Sequence, residues 1–541
     1  MTAIVVKSFG GLRPIASSKL LNGTEAQTAQ NARLVSGALL PMKATTTLQA
    51  LNLSAPATIY RYGTSATETN YWLEFAADTD VMRSPIANDA YDRLYWTNDG
   101  GVPRYGANAS ILQAGSGAYP RASYQLGIPA PSTAPVISSY TAPATGAAPE
   151  TRVYCMTYVS AYDEEGPPST ASSSVSMSAT GTATVTLAGA PAGSYNITHK
   201  RLYRSSTVGN QAQFQFVATI PVAQGSYTDS LAQTALGEVL PSEDWVAPPA
   251  GLKGMRLMAN GSAVGFLGKT LYFSEPNLPH AWPHEYPVDF DIVGIATFGQ
   301  SVAVLTTSYP YLFQGVDPAA MTSSKLPLPQ ACVSKRSIIE TGSGAIYASP
   351  DGLVEIGTTN DVITKALLNR DQWQAYVPSS IQSYMYNGRV HCLYNTGSVR
   401  GTLVFDFSGQ GAVMTTNDVN TTTAVTAGFY DASTDKLYLA QGTNIVRFDQ
   451  GSATAYTWKS KVFRLSAPEN LGFAQVVAES YPVTFKLYCE GALKLTKTVN
   501  NNNQFRLPSG FRAYDWEFQL EGTAEVAEVV IASSTTEMKA A

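Results

Sequence analysis

The feature that most constrains the fold is a short pattern that recurs along the chain. In each copy, a glycine or polar turn precedes or follows a strand-like apolar run that contains a tyrosine. The copies are DRLYWTNDGG at 92–101, GKTLYFSEP at 268–276, GAIYASPDGLVEIG at 344–357, GRVHCLYN at 388–395 and DKLYLAQGTNIVRFD at 435–449. Hairpins repeated at spacings of about 40 to 50 residues are typical of propeller blades, whose sheets cover one another's faces. The pattern therefore predicts an all-β chain built on an irregular β-propeller whose blade number stays open.

Two of these copies also carry specific turn signals. In the last copy, KLYLA and IVRFD flank Gln441-Gly442-Thr443-Asn444, which predicts a hairpin. In the first copy, Asn98-Asp99-Gly100-Gly101 is a strong turn signal.

Composition supports the β assignment and adds a statement about the surface. The chain of 541 residues has 43 Gly, 31 Pro and 30 Tyr against 4 His, a profile of short strands separated by turns. Only 14% of the residues are charged, compared with roughly 25% in soluble domains. A surface so poor in charge is expected to be partly covered by neighbouring molecules.

Two proline-rich segments delimit an insertion in the predicted propeller. They are APSTAPVISSYTAPAT at 130–145 and DWVAPPAGL at 244–252. Strand patterns lie between them at 151–160, 182–187, 200–206 and 214–220, before SYTD at 226–229. The first of these has large side chains at both alternating sets of positions, which predicts a strand covered on both faces. Because the recurrent pattern occurs on both sides, we expect an inserted β-sandwich of the fibronectin type III kind.

The ends of the chain differ from this pattern. NGTEAQTAQNARLV, 22–35, offers Asn22 or Thr24 as a cap and then helix formers, with Ala26, Ala29 and Leu34 along them, so a short helix is predicted. KSKVFRL, VTFKLYCEG and YDWEFQLEG, from residue 459 onward, indicate a terminal β unit packed on the propeller rim.

These patterns predict five parts of the chain. The parts are an N-terminal arm with a short helix (1–45), the first part of the propeller (46–130), the inserted sandwich (131–247), the remainder of the propeller (248–459) and a C-terminal β domain (460–541).

One stretch contains two apparent ligand motifs. GFLGKT, 265–270, is similar to a phosphate-binding loop, but Ala263 occupies the position of the first glycine, and LYFSEP follows where a helix is required. A turn at Gly268 and Lys269 inside a hairpin is the favoured interpretation. His280 and His284 have a spacing that pairs ligands only on a helix, which the prolines in HAWPH exclude, so Trp282 and Tyr286 are expected to pack on the core.

The remaining candidates are acidic residues and cysteines. Asp163, Glu164 and Glu165 are expected to form a solvated turn tip in place of a catalytic pair. Asp289 and Asp291 are expected on the same side of a strand, where they could bind a cation but lack a third acid. No Gly-x-Ser-x-Gly motif occurs, and the four cysteines, Cys155, Cys332, Cys392 and Cys489, are far apart and expected to be buried thiols. We therefore assign no catalytic, cofactor-binding or metal-binding residue and predict that the chain is not an enzyme.

Charge and hydropathy bear on location and partners. The net charge of −5 argues against tight binding of DNA through its phosphates. The apolar run after Thr2 is too short for a signal peptide, and no stretch of 18 apolar residues occurs. We expect synthesis in a cytoplasm and no membrane span.

Three stretches resemble the nozzle proteins of short-tailed bacteriophages, also called tail tubular protein B. They are FGGLRPIASSKLLNGTEAQTAQNARLVSGALLP at 9–41, NGSAVGFLGKTLYFSEPNLPHAWPHEY at 260–286 and RLPSGFRAYDWEFQLEG at 506–522. The resemblance implies a virion protein of the tail, of which six copies form a ring on irregular propellers beneath the tail adaptor. It further implies contacts with the adaptor and with tail fibres or other tail proteins, and passage of double-stranded DNA through the axial opening without sequence specificity.

Alternatives remain open at this point. They are a receptor-binding or glycan-binding virion protein, a minor capsid or tail-hub component of a long-tailed phage, and a propeller hydrolase. The FGGLRP segment, Phe9 to Pro14, is expected to be either an anchoring segment or the first propeller strand.

Overall fold

A computed structural model gives the fold and describes residues 3–62, 67–98, 101–208, 211–409 and 411–540. Its regular structure is almost entirely β. The part before the insertion contains β1 (Ala3–Val6), β2 (Ala26–Gln30), β3 (Ala32–Val35), β4 (Ala38–Pro41), β5 (Thr46–Ala50), β6 (Thr58–Arg61), β7 (Trp72–Phe75), β8 (Thr79–Arg83), β9 (Leu94–Asn98), β10 (Arg104–Gly106), α1 (Asn108–Ile111) and β11 (Tyr124–Gln125).

The insertion contributes eight strands. These are β12 (Val136–Tyr140), β13 (Glu150–Arg152), β14 (Tyr154–Ser160), β15 (Val175–Met177), β16 (Ala183–Thr186), β17 (Ile197–Val208), β18 (Gln211–Pro221) and β19 (Ser226–Asp229).

The part after the insertion is again made of short strands. They are β20 (Lys253–Leu257), β21 (Ala263–Leu267), β22 (Thr270–Phe273), β23 (His284–Pro287), β24 (Ile292–Phe298), β25 (Ser301–Thr306), β26 (Tyr311–Gln314), β27 (Thr322–Lys325), β28 (Ile339–Glu340), β29 (Ala345–Ala348), β30 (Leu353–Ile356), β31 (Asp361–Val362), α2 (Arg370–Gln374), β32 (Gln382–Tyr386), β33 (Arg389–Asn395), β34 (Arg400–Asp406), β35 (Val413–Asn417), β36 (Val425–Asp431), β37 (Lys436–Gln441) and β38 (Asn444–Arg447).

The C-terminal part completes the set. It contains β39 (Tyr456–Ser460), β40 (Phe463–Glu469), β41 (Phe473–Ala478), β42 (Val483–Cys489), β43 (Ala492–Val499), β44 (Phe505–Arg506), β45 (Ala513–Gly522), β46 (Val526–Ala532) and α3 (Thr535–Ala540).

The chain divides into two compact units. The first comprises Met1–Ala76, Ala303–Tyr311 and Lys325–Ala541, and the second comprises Ala77–Val302 and Leu312–Ser324. The division passes through the segment that contains β24 to β27.

Both units contain four-stranded antiparallel sheets made from consecutive strands, as propeller blades are. In the second unit these sheets are β8 to β11 and β20 to β23. In the first unit β28 to β31 form such a sheet, whereas β32 to β35 are consecutive antiparallel strands at one end of a ten-stranded sheet that continues through β2 into the C-terminal strands. A further sheet has the order β36-β37-β38-β5, so a strand from near residue 50 completes a blade whose other strands lie near residue 440. The protein is an irregular β-propeller with an inserted β-sandwich and a C-terminal β unit.

The recurrent pattern predicted the hairpins correctly. KLYLA and IVRFD form β37 and β38, with Gln441 paired to Asn444 across the turn. GAIYASPDGLVEIG forms β29 and β30, which pair antiparallel. The turn predicted at Asn98–Gly101 includes Asp99 and Gly100, which lie outside the described residues.

The insertion forms a sandwich through its own core. Its sheets have the orders β12-β16-β19 and β14-β17-β18, and β13 pairs with β15. Side chains from both three-stranded sheets, including Met156, Val185 and Leu202, form one buried cluster. Every residue of β14 is buried, which confirms the prediction that this strand is covered on both faces.

The predicted N-terminal helix is wrong, because residues 26–35 form strands β2 and β3. β2 pairs antiparallel with β39, placing Ala29 opposite Trp458, and it contacts β35 at Gln30. Helix propensity is a weak preference that tertiary contacts override. Here the small side chain of Ala29, fully buried, lets the strand lie close to its neighbours.

The FGGLRP segment does not form a regular strand, and it packs within the protein's own first unit. Phe9 is 3% exposed and packs edge-on against Trp458, with ring centroids 4.9 Å apart. The backbone N–H of Gly10 donates to Thr24 O, and that of Leu12 donates to Met414 O. The segment therefore joins the end of a blade to the C-terminal sheet inside the first unit.

Gly11 provides a test of this joint. A Cβ at this position would lie 2.4 Å from Met414 O and 2.6 Å from Val413 Cγ1, so the backbone would have to move. We expect Gly11→Ala to lower the free energy of unfolding by about 1–3 kcal/mol, measured by urea denaturation. Gly23→Ala is the matched control, because nothing lies within 4 Å of its added Cβ. Equal unfolding midpoints for the two variants would show that the joint is not tightly packed.

Glu68 predicts an acid-dependent loss of stability in the first unit. Its carboxylate accepts hydrogen bonds from Lys436 on β37 and Arg447 on β38. Burial acts to raise the pKa of Glu68, but the two cations outweigh it and hold the pKa at about 2, below the ordinary 4.5. Because the folded-state pKa is the lower one, the stabilisation is present above pH 4.5 and is lost as pH falls towards 2.

We therefore expect Glu68→Gln to destabilise the protein by about 1–3 kcal/mol at neutral pH. The difference from the unaltered protein should shrink below pH 4.5 in urea titrations followed by fluorescence. A difference that stays constant from neutral pH down to the acid limit would contradict this role.

Candidate functional site

The phosphate-loop-like stretch is a hairpin turn. β21 and β22 pair antiparallel from Val264–Phe273 to Leu267–Thr270, and Gly268 and Lys269 lie between them. Gly268 has φ of +59°, a conformation that glycine adopts at little cost. The turn interpretation is confirmed, since a strand follows Gly268-Lys269 in the place of a helix.

The two histidines of HAWPH have different surroundings. His280 is 5% exposed and meets Trp245 edge-on, with ring centroids 5.6 Å apart. Burial, assisted by the Arg93 cation, lowers the pKa of His280 to about 3. His284 is partly exposed, and its Nε2 lies 3.1 Å from Glu275 Oε1.

Packing around the histidines follows the prediction. Trp282 is 1% exposed, and its Nε1 donates to Pro279 O at 2.7 Å. The hydroxyl of Tyr286 donates to Pro318 O at 2.8 Å. Within the described residues, no three His, Cys, Asp or Glu side chains form a group that could hold a metal ion.

The predictions for the four cysteines and for the two aspartates of the DFD sequence have different outcomes. All four cysteines are buried and free, as predicted, and burial raises the pKa of Cys332 and Cys392 to about 12. Asp289 and Asp291 are exposed, but the strand predicted for them is wrong. Both aspartates lie in the segment that connects β23 to β24 and belong to neither strand.

The prediction for the acidic tip of the sandwich is also wrong. Asp163 is exposed with φ of +59°, whereas Glu164 and Glu165 are 5% and 4% exposed. Buried carboxylates require donors or cations. The structure supplies both, in two separate networks.

Glu164 belongs to a buried ionic cluster in the second unit. Glu164 Oε1 lies 2.8 Å from Arg93 Nη1, and Arg93 Nε lies 2.7 Å from Asp89 Oδ2. The hydroxyl of Ser160 donates to the other Glu164 oxygen at 3.0 Å. Burial raises the pKa of Glu164, while the Arg93 cation acts in the opposite direction.

Glu165 lies in a network with a different set of donors. Thr157 Oγ1 and the hydroxyl of Tyr203 each donate to Glu165 Oε1 at 2.6 Å. Arg201 Nη1 donates to Glu165 Oε2 at 2.6 Å. Both oxygens are therefore occupied, which suits a fixed structural carboxylate and not a base that must accept a substrate proton.

A third network lies deeper in the sandwich. Asp229 is fully buried and accepts hydrogen bonds from the hydroxyl of Tyr154 and from Arg204 Nη1, both at 2.7 Å. Arg152 Nη1 lies 3.6 Å from the same oxygen. Burial raises the pKa of Tyr154, and its hydrogen bond to Asp229 adds to the effect.

One sequence signal could have located these networks. The segment KRLYR on β17 carries Lys200, Arg201 and Arg204, in a sandwich whose adjacent strand was predicted to be covered on both faces. Cations on a covered strand require buried acids. This signal covers Arg201, which pairs with Glu165, and Arg204, which pairs with Asp229, but not Glu164, whose partner Arg93 precedes the insertion.

Comparisons with known proteins identify no family. No family model matches the chain, and no curated protein matches it. Solved propellers are similar over parts of it, among them the β-propeller domain of Cps50 (Swd1) from Myceliophteria thermophila. That domain is 10% identical, and the similarity covers 51% of this chain and 89% of the domain with a TM-score of 0.28.

Two further structures have similar values. Hsv2 from Kluyveromyces lactis is 10% identical over 48% of this chain and 99% of that one, with a TM-score of 0.26. The computationally designed Ika8 protein is 10% identical over 74% of this chain and 99% of that one, with a TM-score of 0.30. Values this low support no argument about function.

The Glu164 cluster leads to a stability prediction. Replacing Glu164 by Gln removes one of the two carboxylates that face the buried Arg93 guanidinium. We expect a loss of about 3 kcal/mol in the free energy of unfolding, measured by guanidinium denaturation.

Asp163→Asn is the matched control, because the neighbouring carboxylate is exposed. It should stay within about 0.5 kcal/mol of the unaltered protein. If the two substitutions have the same effect, Glu164 does not hold Arg93 in the folded protein.

Proposed function

We propose that this chain is a structural, non-enzymatic subunit of a bacteriophage tail nozzle. Identical copies, six in the resembled family, form a ring beneath the tail adaptor through which the genome is retained and ejected. The supporting observation is where the family-like residues lie. Phe9, Trp282 and Trp516, one from each resembling stretch, are all buried in the β-framework. Residues that maintain a framework fit a protein whose task is to keep its shape under load.

The charge of the chain supports a conduit. Each copy has a formal net charge of −5, and several copies around an axis add their charges. A wall of this sign repels phosphates, so DNA passes without being held. Blades of short paired strands also leave little free edge and resist deformation.

Exposed apolar side chains support contacts between copies. Among the described residues, several large apolar side chains are more than half exposed; they are Leu20, Val136, Val246, Val316, Val399 and Leu493. With so few charged residues on the chain, these side chains suit broad interfaces with other subunits or tail proteins. The proposed partners are further copies, the tail adaptor and tail fibres or other tail proteins.

The proposed location is the tail of the virion, after synthesis in the cytoplasm of a bacterial host. In the part of the chain that the structure describes, no helix is long and apolar enough to cross a membrane.

The proposal is tested by native mass spectrometry and electron microscopy of the purified protein and of virions. We expect a closed ring of identical copies, located in the tail between adaptor and tip, with DNA density along its axis in filled particles. A protein that stays monomeric at micromolar concentration and is absent from purified particles would refute the proposal. A ring found in the hub of a long-tailed particle would favour that alternative.

A further inference from the structure

One stretch of the C-terminal β unit carries positive charge only. Residues 491–514 contain four cations and no acidic residue, in a chain whose formal net charge is −5. The cations are Lys494 and Lys497 on β43, Arg506 on β44 and Arg512 in the segment before β45. Three of them are exposed, and Lys497 is half-buried. Within the described residues, none of the four forms an ion pair with a carboxylate.

These cations lie at the open edge of the C-terminal unit. β43 is the last strand of its sheet and pairs with β42 alone, and β44 is the last strand of a second sheet. Lys494 Nζ lies 5.5 Å from the centre of the Phe511 ring, and Lys497 Nζ lies 5.4 Å from that of Phe505. Contacts between an ammonium group and a ring hold the lysines in place and leave their charge in full.

The surroundings of this edge do not neutralise it. Glu490, in the turn between β42 and β43, accepts the backbone N–H groups of Tyr514 at 2.7 Å and Asp515 at 3.2 Å. Beside Lys494, the side chain of Leu493 is 53% exposed. A surface with several unpaired cations and an exposed leucine fits a partner that offers both carboxylates and apolar side chains. We call this surface the basic edge; it consists of Leu493, Lys494, Lys497, Arg506 and Arg512.

A segment of the second unit has the opposite character. Residues 230–252 contain Glu238, Glu243 and Asp244 and no cation. All three acids are exposed, and none of them forms an ion pair in the part of the chain that the structure describes. Two valines beside them, Val239 and Val246, are 43% and 51% exposed. We call residues 238–246 the acidic segment.

The acidic segment has a fixed shape before any partner binds. The backbone N–H of Phe216, on β18, donates to Glu238 O at 2.9 Å, and the N–H of Leu240 donates to Phe214 O at 2.8 Å. At the other end, the N–H of Trp282 donates to Val246 O at 2.8 Å. Because both ends are held by the fold, a partner does not have to order this segment, which lowers the cost of binding.

We propose that the basic edge of one copy binds the acidic segment of a second copy of this chain. The inference rests on the proposed ring and names the contact that joins its subunits. Neighbours in a cyclic ring meet through two different surfaces, so the two surfaces can carry opposite charges. The exposed leucine of the basic edge and the two exposed valines of the acidic segment give the contact apolar area.

The distribution of charge between the two units agrees with this contact. The second unit contains 18 Asp and Glu against 11 Lys and Arg, whereas the first unit contains 22 against 24. The first unit of one copy is therefore attracted to the second unit of another, while two second units repel each other. Such complementarity selects the head-to-tail arrangement that a ring requires.

Nucleic acid is the other class of partner that a basic surface can attract. Four cations release few counterions from DNA, and the net negative charge of the chain opposes its approach. Phosphates would also leave Leu493 without an apolar partner. The acidic segment matches both the charge and the apolar side chain of the basic edge, which favours a second copy.

The test is sedimentation velocity of the full-length protein at micromolar concentration with two charge-reversed variants. One variant carries Arg506→Glu and Arg512→Glu, and the other carries Glu243→Lys and Asp244→Lys, all at exposed side chains. Each variant alone should self-associate at least about tenfold more weakly than the unaltered protein, because like charges then face each other across the contact. An equal mixture of the two should regain assembly, because every edge then meets an oppositely charged segment on the other variant.

Lys43→Glu combined with Lys269→Glu is the matched control. Both lysines are exposed and lie outside the basic edge, and the change in net charge equals that of the arginine variant. The control should assemble like the unaltered protein. The thermal unfolding midpoint of each variant shows whether the fold is kept.

The outcomes separate this contact from the proposed nozzle. Unchanged assembly of both reversed variants would overturn the contact and leave the ring standing, and so would a loss that the mixture does not restore. An unaltered protein that stays monomeric would overturn both. Open chains that depend on these charges but are absent from virions would support the contact and refute the nozzle. Binding of a double-stranded DNA oligonucleotide that Arg506→Glu and Arg512→Glu abolish, with self-association unchanged, would assign the basic edge to nucleic acid and overturn the proposal.

Discussion

The structure depends on one shared core in which residues 4–39 pack with residues 456–531. Phe9, Ala29 and Leu39 lie in the same buried cluster as Trp458, Phe485 and Trp516. β2 connects the sheet of the preceding blade to the C-terminal sheet, in the order β35-β2-β39-β45. Parts of the chain that are far apart in sequence must meet before this core exists, so its formation has a large loop-closure entropy cost. The burial of many aromatic rings in one core offsets that cost. The same arrangement ties both terminal segments of the chain to the blades of the first unit.

Buried ion pairs are the second constraint, and they act mainly on geometry. Asp229 with Arg204, and Glu164 with Arg93, have side chains at most 6% exposed. Burying such pairs costs desolvation energy that their attraction only partly returns, so hydrophobic replacements could give equal stability. Each buried charge nevertheless requires one specific partner of opposite charge in the folded protein. An unpaired guanidinium would be costly, so alternative packings of the sandwich are disfavoured.

Periodicity predicted the parts of the fold that local residues determine. The hairpin at Gly442, the strand at Tyr154–Ser160 and the insertion between two proline-rich segments each depend on nearby residues. β2 was mistaken for a helix because its alanines favour a helix locally, while β39, the strand with which it forms most of its pairing, lies more than 400 residues away. The dipeptide Ser36-Gly37 offered a corrective signal, since both residues have positive φ in the tight β3–β4 turn.

The candidate sites show the same limit at the level of side chains. The Gly268 turn and the separate histidines could be judged from flanking residues. Glu164 and Glu165 could not, because their burial depends on Arg93, which precedes the insertion, and on Arg201, on another strand. A polar cavity lined by residues from 31 to 454 was missed entirely, since none of its lining residues forms a motif. Asn and Thr in loops are ordinary turn residues, and only the assembled fold brings their polar groups together.

The way the chain distributes its few charges connects these observations. Only 14% of the residues are charged, so each ion pair that is buried in a network leaves fewer charged side chains for the surface. Arg93, Arg152 and Arg204 are cations of this kind, each within 4 Å of a carboxylate. Their positive charge is therefore neutralised internally and cannot attract phosphate at the surface. The chain thus keeps these cations where the architecture needs fixed geometry, and it leaves polar neutral groups and apolar side chains on much of its surface.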